Sequence, residues 1–271
     1  LCTRYSILKA IIFCLSIFTL FAIIKTLMQK FIGFDSFETK WLNAGGATTH
    51  IIWSGIRYFS FFTDASNMGA NMGAAIMFFG IASLYMRSAL CKIYYSCIAI
   101  LALYALFLSG TRGAIIVPLA GLALYTLISK QTKMVIGGAS MLLFIYIFFA
   151  FTTIGQSNSS IRRIRTAFNP TKDASYIVRK ENQKKLATYL KYKPFGEGLG
   201  LSGDGLGVKI STRFTTSIPT DSWYVKIWVE TGIVGLILYL SMIFFTIGWG
   251  GWIIATQIKD LELKGLLSGL L

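Results

Sequence analysis

The sequence predicts an all-α protein: a polytopic bundle of membrane-spanning helices carrying one large, partly helical extracytoplasmic loop. Three observations predict it. The chain is 55% hydrophobic and only 14% charged, with a mean hydropathy of +0.64, well outside the balance of soluble domains. Apolar runs of spanning length recur at 7–27, 68–86, 93–108, 114–128, 134–154 and 225–245. A helix needs about 20 residues to cross the hydrocarbon core, and the shorter runs extend into weakly polar flanks. One buried core helix explains one such run, not six. Finally, the charges gather in the connections between the runs.

Arg4 and Lys9 open the first run. Leu1 is not a start residue, and 261–271 is apolar but too short to span. The chain is therefore expected to be part of a longer one, with a single transmembrane domain over 1–271. The first run lacks a small-residue cleavage site and leads into further spans, so it does not read as a cleavable signal peptide. Residues 30–67 follow, with Gly45, Gly46 and a dense set of aromatics: Trp41, Trp53, Tyr58, Phe59, Phe61 and Phe62. Such a segment beside a span suits an interfacial helix at headgroup level. Asp64, Ser66 and Asn67 are N-cap candidates for the second span.

The later connections set the sides. Arg87 with Lys92, Lys130 with Lys133, and Lys259 with Lys264 fall on one side if the spans alternate. Positive residues in short loops mark the cytoplasm. The outer side then receives 30–67, the tight 109–112 turn and the loop 155–222. That loop holds twelve Lys/Arg against five Asp/Glu, an excess of seven positive charges. Long segments translocate largely regardless of charge, whereas a flipped topology would put all three short basic connections outside. The excess is either a solvated surface or an attraction for anionic headgroups or a phosphate-bearing ligand.

Within the loop, Arg162, Arg163 and Arg165 precede a break at Asn169 and Pro170. Residues 174–192 read as an amphipathic helix with Tyr176, Arg179 and Gln183 on one face, ended by Lys193 and Pro194. A glycine-rich stretch follows, with Gly196, Gly198, Gly200, Gly203, Gly205 and Gly207. Glycine there permits positive φ and close backbone approach. No strand–turn–helix context or Gly-Lys-Ser/Thr makes it a nucleotide loop.

Three residues carry the chemistry. Arg112, in the sequence Ser109, Gly110, Thr111, Arg112, Gly113, stands at the outer edge of two spans. It either snorkels or presents its planar fork to a phosphate or pyrophosphate. Asp221 sits where the loop re-enters the membrane and is either a helix cap or a base for an acceptor hydroxyl. Glu230, a little over two turns on, is either a buried hydrogen-bonded group or a functional one. Cys2, Cys14, Cys91 and Cys97 lie in or beside spans without zinc spacing, and His50 has no His or Cys nearby. No metal and no cofactor is expected, and no nucleic-acid partner.

Four stretches together resemble the bacterial O-antigen ligase and O-antigen polymerase superfamily. They are 57–67 leading into a span, the Ser109–Arg112 turn with Gly113 and Ala114, Arg179 followed by a helix and Lys193-Pro-Phe-Gly196-Glu-Gly198-Leu-Gly200, and Thr220, Asp221 through Glu230, Gly232 and Gly235. Their order spans about 180 residues. The resemblance implies a membrane glycosyltransferase of the bacterial inner membrane, active on its periplasmic face. It would take a glycan from an undecaprenyl-diphosphate carrier, with a glycan or lipid A-core as acceptor and no metal. It implies diphosphate contacts for Arg112 and Arg179, with Arg213 alongside, and a proton-accepting role for Asp221. Arg57, Asn67, Gly198, Gly200 and Glu230 would bind substrate. Ligases of the superfamily carry a His-Asn pair where this chain has Asp221 and Ser222, which leaves ligase and polymerase both open. A transporter or flippase of lipid-linked sugars, or a non-catalytic subunit binding anionic lipid, would also use a basic outer face. The lack of an internal repeat and of charges at mid-membrane depth weighs against a transporter.

Overall fold

A computed structural model describes residues 5–52, 55–129, 136, 140, 143, 144, 146–148, 151–155, 161, 162, 165, 174–203, 208, 211–220 and 222–271. The helices are α1 (Tyr5–Phe31), α2 (Ser36–Trp41), α3 (Ala47–His50), α4 (Ala65–Tyr85), α5 (Ala89–Ser109), α6 (Ile116–Ser129), α7 (Ala174–Leu190), α8 (Trp223–Thr256) and α9 (Leu261–Leu270). The all-α membrane class expected from the sequence is what the chain forms. Helices over Ser6–Phe31, Ala65–Tyr85, Ala89–Ser109 and Trp223–Thr256 are long and apolar enough to cross a membrane, and Arg112–Ile128 is a shorter apolar one. About half of the expected span 134–154 lies outside the described residues, as do much of the 155–173 stretch and Asp221. The chain divides into two compact units, Leu1–Phe168 with Gly251–Leu271, and Asn169–Gly250.

In the first unit α4 is central and packs on α1, α5, α6 and α9. Met68, Met72, Phe78 and Phe79 of α4 bury against Ile12 and Ile23 of α1 and Ile98 of α5. The approach of α6 depends on two small residues one turn apart. A Cβ at Gly69 would lie 2.7 Å from Ser109 Oγ and 2.9 Å from Ala114 Cβ, and one at Gly73 would lie 3.0 Å from Ala114 O and from Val117 Cβ. Where lipid removes the hydrophobic drive between helices, close contact through small residues supplies the packing attraction.

After α4, Arg87 pairs with Asp260 (3.0 Å) and Glu262 (3.1 Å), and Lys9 pairs with Glu262 (2.8 Å). The basic residues at the α1 start and the α4–α5 turn thus gather at one end of this unit, as alternating spans require. The Glu262 side chain is only 3% exposed, and two cations compensate its desolvation.

The segment between α1 and α4 differs from the single interfacial helix expected. Gly45 takes φ +123° and interrupts it, and the chain continues as α3 and a two-residue antiparallel ladder, β1 (Ile51–Ile52) with β2 (Gly55–Ile56). Gln29 of α1 fixes the following turn, its Oε1 accepting from the Ser60 N–H (2.9 Å) and the Phe59 N–H (3.3 Å). That holds Ser60 at φ +55°, a conformation disfavoured without glycine.

In the second unit α7 buries Leu186 and Leu190 against Val225 and Val229 of α8. Its first turns, from Tyr176 to Glu181, are exposed. The amphipathic character expected of this helix is therefore confined to its C-terminal half. Within α8 the helical path is broken at Gly232 (φ +69°, ψ −170°). The two dozen residues beyond the break, 233–256, rise about 36 Å, enough to span by themselves.

Candidate functional site

The sites form at two places, one in each unit. At the end of α4 away from the Glu262 cluster, Asp64 caps the helix by accepting from the Ser66 and Asn67 N–H groups (2.6 and 2.9 Å). The helix begins here because the short carboxylate takes donors that no preceding carbonyl can reach. Asn67 Nδ2 turns back to donate to Asp64 Oδ2 (2.8 Å) and Thr63 Oγ1 (2.9 Å), so this side chain completes the cap. Gly110 ends α5 in the left-handed conformation, φ +57°. The chain then turns through Thr111, whose hydroxyl donates to Ala65 O (2.9 Å). Half-buried Arg112 follows at the head of the short 3-10 turn Arg112–Ile115.

Arg57 ties these pieces together. Its Nε donates to Ser109 O (3.4 Å), Nη1 to Thr49 O (3.1 Å), and Nη2 to Ser66 Oγ (3.1 Å) and Thr111 Oγ1 (2.9 Å). Burial lowers its pKa from the ordinary value, and the Arg112 charge pushes the same way against Asp64. The start of α4, the end of α5 and the turn before α6 therefore hold two guanidiniums and one carboxylate.

Behind Arg57 lies His50, 2% exposed and set edge-on to the Trp41 and Phe59 rings. The Ala65 N–H donates to His50 Nε2 (3.2 Å). Nε2 is therefore the acceptor and Nδ1 carries the proton, facing Gly46 O at 3.1 Å. Burial holds its pKa below the ordinary value, with the Arg57 charge adding to the shift.

In the second unit the glycine-rich loop docks into the break of α8. The Glu197 N–H donates to Val229 O (2.9 Å), the Gly198 N–H to Glu230 O (3.0 Å), and the Val234 N–H to Pro194 O (3.2 Å). Backbone groups freed by the interruption are thus satisfied by the loop, which is what permits a broken helix in an apolar segment. The approach needs two glycines. A Cβ on Gly196 would lie 2.5 Å from Gly232 N, and one on Gly232 would lie 2.0 Å from Pro194 O. Ser202 Oγ donates to Glu230 Oε1 (2.7 Å), so Glu230 is hydrogen-bonded at both carbonyl and carboxylate.

Glu197 lies beneath this loop, its side chain 3% exposed between Lys193 and Arg213. Arg213 Nη1 donates to Glu197 Oε2 (2.7 Å) and to Glu197 O (3.3 Å). Lys193 Nζ donates to the other carboxylate oxygen and to Tyr189 OH (2.9 Å). Burial by itself would raise the Glu197 pKa, but the hydrogen bonds from Lys193 and Arg213 outweigh it and hold the carboxyl below its ordinary range.

The residues singled out in the sequence therefore fall into two sets. Arg57, Asn67 and Arg112 meet at the α4–α5–α6 end of the first unit. Arg213, Gly198, Gly200 and Glu230 belong to the loop and helix break of the second. Arg179 is exposed on α7 with no hydrogen bond or ion pair among the described residues. Gly198 (φ +111°) and Gly200 (φ +79°) shape the turn, a Cβ meeting only Leu201 Cδ1 at 3.5 Å at the first and nothing within 4 Å at the second, while the tight backbone approach is at Gly196 and is made to the chain's own helix. Asp221 lies outside the described residues. Sequence reading missed Glu197 and the Gly196–Gly232 contact. The available signal was an acidic residue inside a glycine run, flanked by cations.

Comparison with known proteins gives one match. The family model for O-antigen ligase covers residues 97–240, a little over half of the chain. That range contains Arg112, Arg179, Arg213, Asp221 and Glu230 and leaves out Arg57 and Asn67. No curated protein and no solved structure matches.

Proposed function

The chain belongs to the O-antigen ligase family, as a multi-pass membrane protein, and from that premise we propose that it transfers glycan from an undecaprenyl-diphosphate carrier on the extracytoplasmic face of the bacterial inner membrane. The observation that carries the reading is Arg112. It stands half-buried at a glycine-bounded turn joining two apolar helices, inside the matched range, beside a second guanidinium whose own donors are used on the protein. Its planar guanidinium fork can take two oxygens of a phosphate side by side.

In the proposed reaction the bond between the anomeric carbon and the diphosphate oxygen breaks, and the electron pair leaves with the diphosphate. Arg112, Arg179 and Arg213 neutralise the charge that develops on that group. The acceptor hydroxyl oxygen attacks the anomeric carbon from the opposite face, with inversion, and Asp221 takes its proton. Asn67, Gly198, Gly200 and Glu230 shape the surroundings of the sugar. Arg57 fixes the turn that presents Arg112. No metal is needed, because the arginines supply the positive charge.

The test is incubation of the purified protein with undecaprenyl-diphosphate glycan in lipid nanodiscs, with and without a lipid A-core acceptor. Chain elongation without the core identifies a polymerase, and transfer confined to the core identifies a ligase. Consumption of the donor in neither condition overturns the proposal.

A further inference from the structure

The second unit contains a charge arrangement that the reaction scheme above leaves unexplained. A carboxylate in a glycine-rich outer loop would ordinarily face water, yet Glu197 is 3% exposed while its partners Lys193 and Arg213 are 39% and 54% exposed. The burial is enforced from the backbone. The Glu197 N–H is bonded to Val229 O at the α8 break, and its own carbonyl accepts from Arg213. Arg213 is fixed from its other side too, since its carbonyl accepts from the Thr216 N–H (3.1 Å) and the Thr216 hydroxyl (2.7 Å).

What this leaves outward is specific. A guanidinium is a rigid planar fork with five donors. Both contacts to Glu197 use Nη1. Among the described residues, the Nε and Nη2 groups of Arg213 meet no acceptor. These two lie on one edge with parallel N–H directions, the geometry that takes two oxygens of a phosphate side by side. Lys193 adds a second cation on the same carboxylate, its ammonium 4.1 Å from the Tyr189 ring centroid. Without the carboxylate the two cations would repel, and Arg213 would lose its fixed rotamer. With it the cluster keeps one net positive charge.

The geometry points to Glu197 as a positioning residue, which holds Arg213 so that its Nε/Nη2 edge forms a phosphate subsite beside the break in α8. That the phosphate is the diphosphate of a lipid carrier rests on the function proposed above. A purely structural carboxylate would need no arginine, since a lysine could supply the same charge.

Two measurements on the purified protein in nanodiscs test this: binding of glycan-free undecaprenyl diphosphate, and the KM and kcat of transfer. Arg213→Lys keeps the charge beside Glu197 and removes the two-donor edge, and should weaken binding about tenfold, the loss expected when charge-assisted hydrogen bonds go. Glu197→Gln should raise KM for the donor by a similar factor with a smaller effect on kcat, and Glu197→Asp should restore part of it. The double variant Glu197→Gln/Arg213→Lys should bind no more weakly than Arg213→Lys alone, because the two residues act through one contact. Should Glu197→Gln fail to fold, Glu197→Asp tests the positioning role, and Arg213→Lys tests the phosphate-binding edge. Wild-type binding by Arg213→Lys, or additive losses in the double variant, overturns the inference. Binding without transfer by the unmodified protein removes the proposed reaction and leaves this subsite standing. Transfer with unchanged KM in both single variants does the reverse.

Discussion

Arg57 in the first unit and Arg213 in the second are both partly exposed cations, and both are anchored, but by different partners. Arg57 directs every nitrogen at a neutral oxygen of the protein: two backbone carbonyls and two hydroxyls drawn from three separate segments. Arg213 directs one nitrogen at a single residue, a buried carboxylate, and keeps an edge outward. The first arrangement uses up the guanidinium as a strut. The second fixes its direction and preserves its capacity to bind. A basic residue near a membrane edge therefore cannot be assigned to substrate on charge alone. The number of its donors already engaged decides between the two roles.

The two anchoring schemes should fail differently, and the largest effect is expected at the helix break that supports Arg213. Gly232→Ala places a Cβ against Pro194 O and demands a left-handed backbone that alanine resists. It should cost about 3 kcal/mol or more, combining backbone strain with overpacking. Thermal unfolding in detergent would register the loss, and proteolysis should become faster in the 191–203 loop. Gly113→Ala is the control. Its Cβ meets nothing within 4 Å, and its stability should match the unmodified protein. If both substitutions behave alike, the loop is not clamped by the break.

The next effect is at Arg57. Arg57→Ala leaves carbonyls of Thr49 and Ser109 and two hydroxyls without their donor, and should lower stability by about 2 kcal/mol. Donor KM, measured on the folded fraction, should rise only as far as the loosened Ser109–Thr111 turn disturbs Arg112, and in step with the loss of stability. A donor KM that rises without loss of stability would make Arg57 a binding residue after all, and would erase the contrast with Arg213.

The smallest effect concerns His50, which supports the Arg57 segment. Its folded pKa lies below the ordinary 6.5, so the unfolded chain takes up the proton first. Stability should be flat above about pH 6.5 and should fall as the pH drops from there through the folded value. His50→Gln should flatten that part of the profile of unfolding midpoint against pH. An unchanged profile in this variant would assign the pH dependence to another group.

Much of the fold was legible because the apolar runs are long and their borders are chemically marked. Asp64 and Gly110 end their helices as short capping chains and left-handed glycines do. The first unit also gathers Lys9, Arg87, Asp260 and Glu262 at one end, as the alternation of spans implied. Legibility ended where contacts join distant segments. Nothing local to 225–245 shows that Gly232 breaks α8, because the break is stabilised by Pro194, Glu197 and Gly198 more than thirty residues earlier. Glu197 looked like an ordinary loop carboxylate because its burial depends on Arg213, sixteen residues on. The interfacial segment was misjudged for a different reason. Phe34 and Phe59 do share a small core with Leu42 and Ala65, but Gly45 and the close contact of Gly46 with the Trp41 ring impose a turn that composition does not reveal.

The candidate site was legible in its residue types and only partly in their roles. Arg112 stands where a turn between apolar helices was expected to put it. Asn67 serves the Asp64 cap, Gly198 is bonded through its N–H to the chain's own α8, and only Gly200 borders open space.

The most direct test of the account is the transfer activity of Arg112→Ala, measured beside the unmodified protein at equal amounts in the membrane. The account predicts that polymer or ligated glycan is abolished while membrane insertion and the thermal unfolding midpoint stay near their original values. Near-normal product from a correctly inserted Arg112→Ala protein would contradict it.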